Sequence, residues 1–241
     1  MILPTLRASF GRDDALHLVE LVARSDDDLR TSLRSRLEEE GMDGLLDDPR
    51  TLNALLSDAD VKLTPAQVFY VLIRQALLEA GVEDRGTADY VASMVVRFGD
   101  GRRAYRIEDG AEDEFRYLVD MVVRLSRCGE REAFLLRTHL GNYALWITGL
   151  FPDFVEARVH RRGAPPVRYY EEMGTVGYRM ASESREARSL GMEQTLSSVA
   201  RDFPGARRAL NQVADRYLWR HGSDPVGRLL REMVSRAMPE S

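Results

Sequence analysis

Cysteine is almost missing from this chain of 241 residues, which contains Cys128 alone. A single cysteine excludes an internal disulfide framework and is typical of proteins that remain in a reducing compartment. The first seven residues also lack the basic and then apolar segments of a secretory signal peptide. We therefore expect a cytoplasmic protein.

Lysine is equally scarce, since Lys62 is the only one and all other basic side chains are arginines or histidines. Arginine is favoured where bidentate contacts to carboxylates or phosphates matter. Here the preference is uniform along the chain, so a compositional bias explains it better. The charge is unevenly divided, because residues 1–120 carry a net charge of −10 and residues 121–241 a net charge of +5.

The motifs that mark common active sites are absent as well. There is no Walker loop, no Gly-x-Gly-x-x-Gly after a strand, no Gly-x-Ser-x-Gly and no His-Glu-x-x-His. Glu156 and His160 share one helix face, but the paired carboxylate and histidine motifs of a di-iron bundle are missing. We expect no catalytic residue, no metal site and no cofactor, and the sequence favours a protein that is not an enzyme.

Helix start and stop signals are frequent in the first half of the chain. Hydroxyl or aspartate caps, two of them followed by proline, alternate with glycine stops and predict helices over 14–24, 26–40, 49–57, 65–80 and 88–98. We expect Ser25 and Thr87 to cap the second and the fifth. Leu29, Leu33 and Leu37 form a narrow stripe on the second helix, which we interpret as a surface edge that would support self-association.

The polar joint at 57–64 divides the chain into an acidic N-terminal helical segment, 1–60, packed on a main helical bundle, 61–241. One continuous domain is the alternative. The most apolar stretch predicts two antiparallel helices, 111–128 and 130–150, which we expect to form a buried hairpin at the centre of the fold. A bilayer span is excluded because Arg137, His139 and Asn142 lie near the middle of the second helix.

A long helix over 166–190 carries Gly174 and Gly177, and these small residues predict a close crossing with the 130–150 helix at Gly141. Further helices over about 151–162, 193–202, 204–221 and 225–237 complete a single all-α bundle of about nine or ten helices. Strand signals are confined to at most one small β-hairpin near 98–107, where Gly-Asp-Gly separates short apolar pieces.

A polar face on the 130–150 helix is the main candidate site. His139, Asn142, Tyr143 and Trp146 recur at helical spacing, with Arg137 on a neighbouring side. Buried polar groups need partners, which leaves two interpretations. Either the face binds a small ligand, or it forms an internal hydrogen-bond network with the 166–190 helix. The candidate ligand-binding residues are Arg137, His139, Asn142, Tyr143, Trp146, Tyr170, Glu171 and Glu172.

Arginines cluster in two places and suggest an anion or nucleic-acid surface. One cluster comprises Arg158, Arg161, Arg162 and Arg168, and the other recurs through the C-terminal helices. The alternative is that this positive half of the chain docks on the negative N-terminal half, within one chain or between subunits.

The run from Arg137 to Pro152, followed by Tyr169-Tyr-Glu-Glu-Met-Gly and Gly177-Tyr178, resembles uncharacterised all-helical proteins of bacteria. The resemblance covers about residues 60–190. It implies that the central helix and the Tyr-Tyr-Glu-Glu helix belong to one unit, and it transfers no catalytic residue.

Taken with the missing motifs, these features predict a cytoplasmic interaction or regulatory module with a protein partner or a second copy of itself. The alternatives are a small-ligand-binding or enzymatic bundle with a pocket near Arg137, His139 and Asn142, and a nucleic-acid binder acting through the C-terminal arginines.

Overall fold

Helices supply the regular structure of this chain. The computed structural model describes residues 2–58, 61–99, 103–108 and 113–218, and within these ranges it contains helices and no strand. The predicted all-α class is therefore confirmed. Thirteen α-helices lie in the described ranges: α1 Arg12–Ala23, α2 Asp27–Glu40, α3 Met42–Leu46, α4 Pro49–Ser57, α5 Pro65–Glu79, α6 Arg85–Phe98, α7 Leu118–Leu125, α8 Glu130–Leu150, α9 Pro152–Arg162, α10 Val167–Ser182, α11 Arg185–Ser189, α12 Glu193–Arg201 and α13 Phe203–Val213.

Side-chain caps begin five of the thirteen described α-helices, namely α2, α4, α5, α6 and α11. At α5, Oγ1 of Thr64 accepts a hydrogen bond from the backbone nitrogen of Gln67, and the backbone nitrogen of Thr64 donates to Oε1 of Gln67, which forms a capping box. Two predicted caps are wrong. Asp26 rather than Ser25 caps α2, with 2.9 Å to Leu29 N, and Asp84 rather than Thr87 caps α6. In both cases a carboxylate caps the helix in place of the nearby hydroxyl. The positive end of the helix dipole also stabilises the negative charge of that carboxylate.

The long helix predicted over 166–190 is wrong in its second half. It ends at Ser182, and Ser184 caps the separate short helix α11 by accepting from Ala187 N at 3.1 Å. This break and the short helix α3 each add one helix that the sequence did not predict, and the described residues contain thirteen α-helices rather than about nine or ten. The hairpin predicted near 98–107 is also not found in the described part of that range, where residues 103–105 form a 3-10 turn.

The buried hairpin predicted over 111–150 needs a correction. Its first member is reduced to α7, and residues 113–116 are not helical. Phe115 N instead donates to the carbonyl of Tyr105 at 2.7 Å, which holds the segment extended. Because α7 buries only Leu118 and Met121, it lies at the surface. The central element is α8 alone, which packs mainly on α10 and α13.

The predicted close crossing of α8 and α10 is confirmed. A Cβ atom added to Gly177 would lie 2.7 Å from the carbonyl oxygen of Arg137, and one added to Gly141 would lie 2.7 Å from the ring of Tyr178. A side chain at either position would therefore force the helices apart. The glycines bring the two backbones close enough for Tyr178 to reach the polar face of α8.

One apolar core extends from Ile2 to Ala214 and includes residues of the N-terminal helices. The leucine stripe of α2 belongs to it: Leu33 is fully buried, while Leu29 and Leu37 are half-buried against the core. The stripe therefore packs inside the chain and offers no surface for self-association. Among the described residues, no helix is long and apolar enough to cross a bilayer. The predicted helix over 225–237, and the end of the one over 204–221, lie outside the described residues.

Candidate functional site

Asn142 lies at the centre of the polar face of α8 and is almost fully buried. Its side-chain oxygen accepts two hydrogen bonds, from the hydroxyl of Tyr90 on α6 and from the hydroxyl of Tyr178 on α10, each 2.8 Å long. The two tyrosine rings meet edge to face, with 5.9 Å between their centroids. One amide oxygen thus joins three helices.

The hydroxyl groups of both tyrosines act as hydrogen-bond donors to Asn142. Burial raises the pKa of Tyr90 and that of Tyr178 above the ordinary value, since a phenolate would lose its hydration here. The hydroxyls therefore stay protonated at all physiological pH values. This network is the internal alternative proposed for the face, but its partners are tyrosines rather than the acids of the 166–190 helix.

His139 is one turn away and is also buried, with 3% of its surface exposed. Desolvation lowers the pKa of His139 to about 3, so the ring is neutral near pH 7. The ring packs against Phe98 at 5.8 Å between centroids. Nε2 of His139 has no hydrogen-bond partner among the described residues.

Tyr143 and Trp146 complete the predicted face as packing residues. The Tyr143 hydroxyl donates to the carbonyl of Arg116 at 2.9 Å, which fixes the segment before α7. Trp146 is buried, and its ring lies 5.0 Å from that of Phe151 and 5.9 Å from that of Phe98. Both side chains therefore stabilise the fold rather than line an open site.

The other predicted ligand-binding residues lie apart from this face. Arg137 is half-buried on the α10 side, where its Nε has no partner among the described residues. Glu171 forms an ion pair with Arg207 of α13 at 2.5 Å, and Glu172 pairs on the surface with Arg168 at 2.8 Å. Tyr170 is buried beside Tyr169, and burial raises its pKa. The two acids of α10 pair with arginines rather than with His139 or Asn142.

The predicted basic cluster at the end of α9 is partly engaged by neighbouring side chains. The guanidinium of Arg158 lies over the ring of Tyr117, 4.9 Å from its centroid, and 5.4 Å from that of Phe154. Arg161 and Arg162 are exposed.

Several arginines of the C-terminal helices face carboxylates. Arg201 pairs with Asp202, Arg207 with Glu171, and Arg216 with Glu79 of α5 at 2.9 Å. The last pair joins the positive half of the chain to the negative half, as one of the sequence alternatives proposed. Arg220 and Arg228 lie outside the described residues.

A buried charge network was missed by the sequence reasoning. Arg74 of α5 is 2% exposed and donates to Asp47 at 2.6 Å, and Arg85 reaches the same carboxylate at 2.7 Å. Burial alone would raise the pKa of Asp47, but the two arginines outweigh it and hold the pKa below its ordinary value. Arg85 also approaches Asp43, the ion-pair partner of Arg7. These residues are far apart in sequence, so no local spacing could have revealed the network.

Asp89 of α6 was missed for the same reason. Its carboxylate accepts hydrogen bonds from the backbone nitrogens of Leu6 and Arg7 at 2.9 and 3.1 Å, which fastens the N-terminal segment to the bundle. Burial raises the pKa of Asp89. Its role is structural.

No protein-family model, curated protein or solved structure matches the chain. Among the described residues, no group of three or more histidine, cysteine, aspartate or glutamate side chains is placed to hold a metal ion.

Proposed function

We propose that this protein is a non-enzymatic interaction module that self-associates through the outer face of α7. The observation that carries the proposal is an apolar surface on a short helix. Val119, Val122 and Val123 are 58%, 39% and 49% exposed, although valine is usually buried. Tyr117, directly before the helix, is 49% exposed. We call these four residues the α7 face.

The α7 face is continuous because its valines lie at positions i, i+3 and i+4 of one helix. The opposite side of α7 is anchored, since Leu118 and Met121 are buried. The helix is therefore held on the bundle by one apolar side while a second apolar side meets solvent. Contiguous exposed apolar residues with charged neighbours are typical of protein–protein contact sites.

Charges beside the α7 face favour a second copy of the chain as the partner. Asp120 and Arg124 are one turn apart and lie on the same flank of the valines. When two identical helices pack antiparallel about a two-fold axis, equivalent flanks face each other. Asp120 of one copy then lies opposite Arg124 of the other, and the pairing occurs twice. Arg124 already contacts Glu132 at 2.6 Å, and its side chain is exposed enough to reach a second carboxylate.

The hydrogen bonds of the buried polar residues on α8 favour an interaction module over an enzyme. Asn142, the most polar of these residues, is occupied by two tyrosine hydroxyls, and the Tyr143 hydroxyl is bound to a backbone carbonyl. No nucleophile and base are paired on this face. A cytoplasmic location belongs to the proposal and is supported by the single Cys128. The resemblance to helical bacterial proteins remains a prediction.

Charge exchange tests both the face and the antiparallel orientation. Asp120→Arg places arginine against arginine across the proposed dimer and is expected to weaken dimerisation about five- to tenfold, as Arg124→Asp is. The double variant restores opposite charges and is expected to recover most of the affinity. Sedimentation equilibrium measures each dissociation constant. Single variants that dimerise like the wild type would contradict the proposal.

A further inference from the structure

A small cleft lies beside His139, where the end of α6 and the segment around Arg106 meet α8. The residues that line it include Arg97 and Phe98 at the end of α6, Arg106, and Thr138, His139 and Asn142 of α8. The cleft has a volume of about 270 Å³ when the space open to solvent is counted. Its enclosed part, which we call the floor, has room for one oxygen-sized group.

Three buried polar atoms on the lining of this cleft have no hydrogen-bond partner among the described residues. They are Nε of Arg106, Oγ1 of Thr138 and Nε2 of His139. Thr138 and His139 are each 3% exposed. Buried polar groups are almost always paired in folded proteins, so three orphans around one space indicate a shared partner.

The chemistry of the three atoms defines that partner. Nε of Arg106 can only donate, and the Thr138 hydroxyl can donate or accept. His139 is neutral near pH 7, so one of its ring nitrogens donates and the other accepts. The complementary atom must accept from Arg106 and must be able to pair with Nε2 of His139 in either tautomer. A hydroxyl or water oxygen does both.

Other ligand types fit less well. An ionised carboxylate oxygen can only accept, so it pairs with Nε2 of His139 in one tautomer only. A metal cation bound at that nitrogen would lie beside the cationic side chains of Arg97 and Arg106, and no carboxylate is among the described residues that line the cleft. We propose that the floor of this cleft is a binding site for one hydroxyl-type oxygen, held between Arg106, Thr138 and His139. The oxygen belongs to a water molecule or to the alcohol group of a small molecule that enters through the mouth.

Valine substitution of three buried threonines tests the site. Thr138→Val removes a hydroxyl that binds the oxygen, and the melting temperature is expected to fall by about 2–4 °C. Thr148→Val is the control for a paired hydroxyl, because Oγ1 of Thr148 donates to the carbonyl of Ala144; it should cause a similar fall. Thr87→Val is the control for an orphan hydroxyl outside the cleft, because Oγ1 of Thr87 is buried without a partner. The melting temperature of the Thr87→Val protein should equal or exceed that of the wild type.

Two further measurements distinguish the sources of the oxygen. A high-resolution crystal structure shows whether an oxygen lies within hydrogen-bond distance of Nε2 of His139. Titration with lactate, and with propionate as the matched carboxylate that lacks the hydroxyl, shows whether an alcohol enters. A rise in melting temperature with lactate only, lost in Thr138→Val, identifies an alcohol. An ordered oxygen without a lactate response identifies water, and both results support the site. A Thr138→Val protein that behaves like Thr87→Val, or a cleft without an ordered oxygen, would overturn it.

Discussion

Tyr178 and Asn142 are joined by a 2.8 Å hydrogen bond across the α8–α10 crossing, and Tyr90 donates to the same amide oxygen from α6. Removing one hydroxyl leaves the other donor in place, so Tyr178→Phe and Tyr90→Phe should each lower the free energy of unfolding by about 1 kcal/mol. Asn142→Ala should cost about 3–5 kcal/mol, because it orphans both hydroxyls and leaves a cavity. Urea unfolding measures these changes, with Tyr169→Phe, at a half-buried tyrosine outside this network, as the control. An Asn142→Ala cost no larger than that of Tyr178→Phe would exclude the shared bond.

Gly177 tests the helix crossing. Helix propensity alone predicts that Gly177→Ala stabilises α10 by about 1 kcal/mol. The added Cβ would lie 2.7 Å from a backbone oxygen, however, so we expect a net destabilisation of about 1–3 kcal/mol. Gly86→Ala in α6 is the control, since the nearest atom to its Cβ would lie at an ordinary 3.4 Å. Thermal unfolding should give opposite signs for the two variants, and equal signs would refute the tight crossing.

His139 should make the protein sensitive to mild acid. Its pKa in the folded protein is lowered to about 3, whereas the unfolded chain binds a proton near pH 6.5. The unfolded state is therefore favoured as the pH falls from about 6.5 to about 3, and stability at pH 5 should be about 2 kcal/mol below that at pH 7. The raised pKa of Asp89 acts in the opposite direction. Because Asp89 is present in both proteins, its contribution cancels when the wild type is compared with His139→Gln.

The measurement for His139 is urea unfolding of both proteins at pH 7, 6 and 5. The slope of stability against pH should be smaller in His139→Gln than in the wild type, whatever the absolute stability of the variant. Identical slopes for the two proteins would mean that His139 binds a proton in the folded protein as readily as in the unfolded chain.

Arg74 carries the buried part of the charge network. Arg74→Ala leaves Asp47 with a half-exposed partner, Arg85, and frees the carbonyl of Glu83, which Arg74 Nη1 contacts at 2.8 Å. We expect a loss of about 3–5 kcal/mol in unfolding free energy. Arg168→Ala is the control, because Arg168 and its partner Glu172 are both exposed and such a pair contributes about 1 kcal/mol or less. A loss of similar size in both variants would contradict a buried role for Arg74.

The fold class was predictable because helix signals are local. Asp48 and Thr64, each followed by proline, mark the starts of α4 and α5 in the sequence. In the structure both residues cap those helices. The glycines of α10 were informative for a different reason, since two glycines inside a helix are costly unless a neighbour requires them. The break at Ser184 was missed because residues 182–190 contain no proline or glycine to mark the end of a helix.

The candidate site was only partly predictable. Periodicity placed His139 and Asn142 on one face, but it could not identify their partners. Tyr90 is 52 residues from Asn142 in the chain, and nothing in the local sequence connects them. The exposure of α7 was missed because Val119, Val122 and Val123 look like core residues when only their hydrophobicity is considered. Which side of a short apolar helix faces solvent depends on the helices packed around it.

The molar mass in solution tests the proposed self-association most directly. Sedimentation equilibrium of the wild-type protein over a wide concentration range should give a mass that rises from that of the monomer to that of a dimer. Val122→Glu places a charge in the middle of the α7 face and should remain a monomer throughout. Met180→Glu, at another exposed apolar residue, should dimerise like the wild type. A wild-type protein that stays monomeric at every concentration, or a Val122→Glu protein that dimerises equally well, would contradict the account.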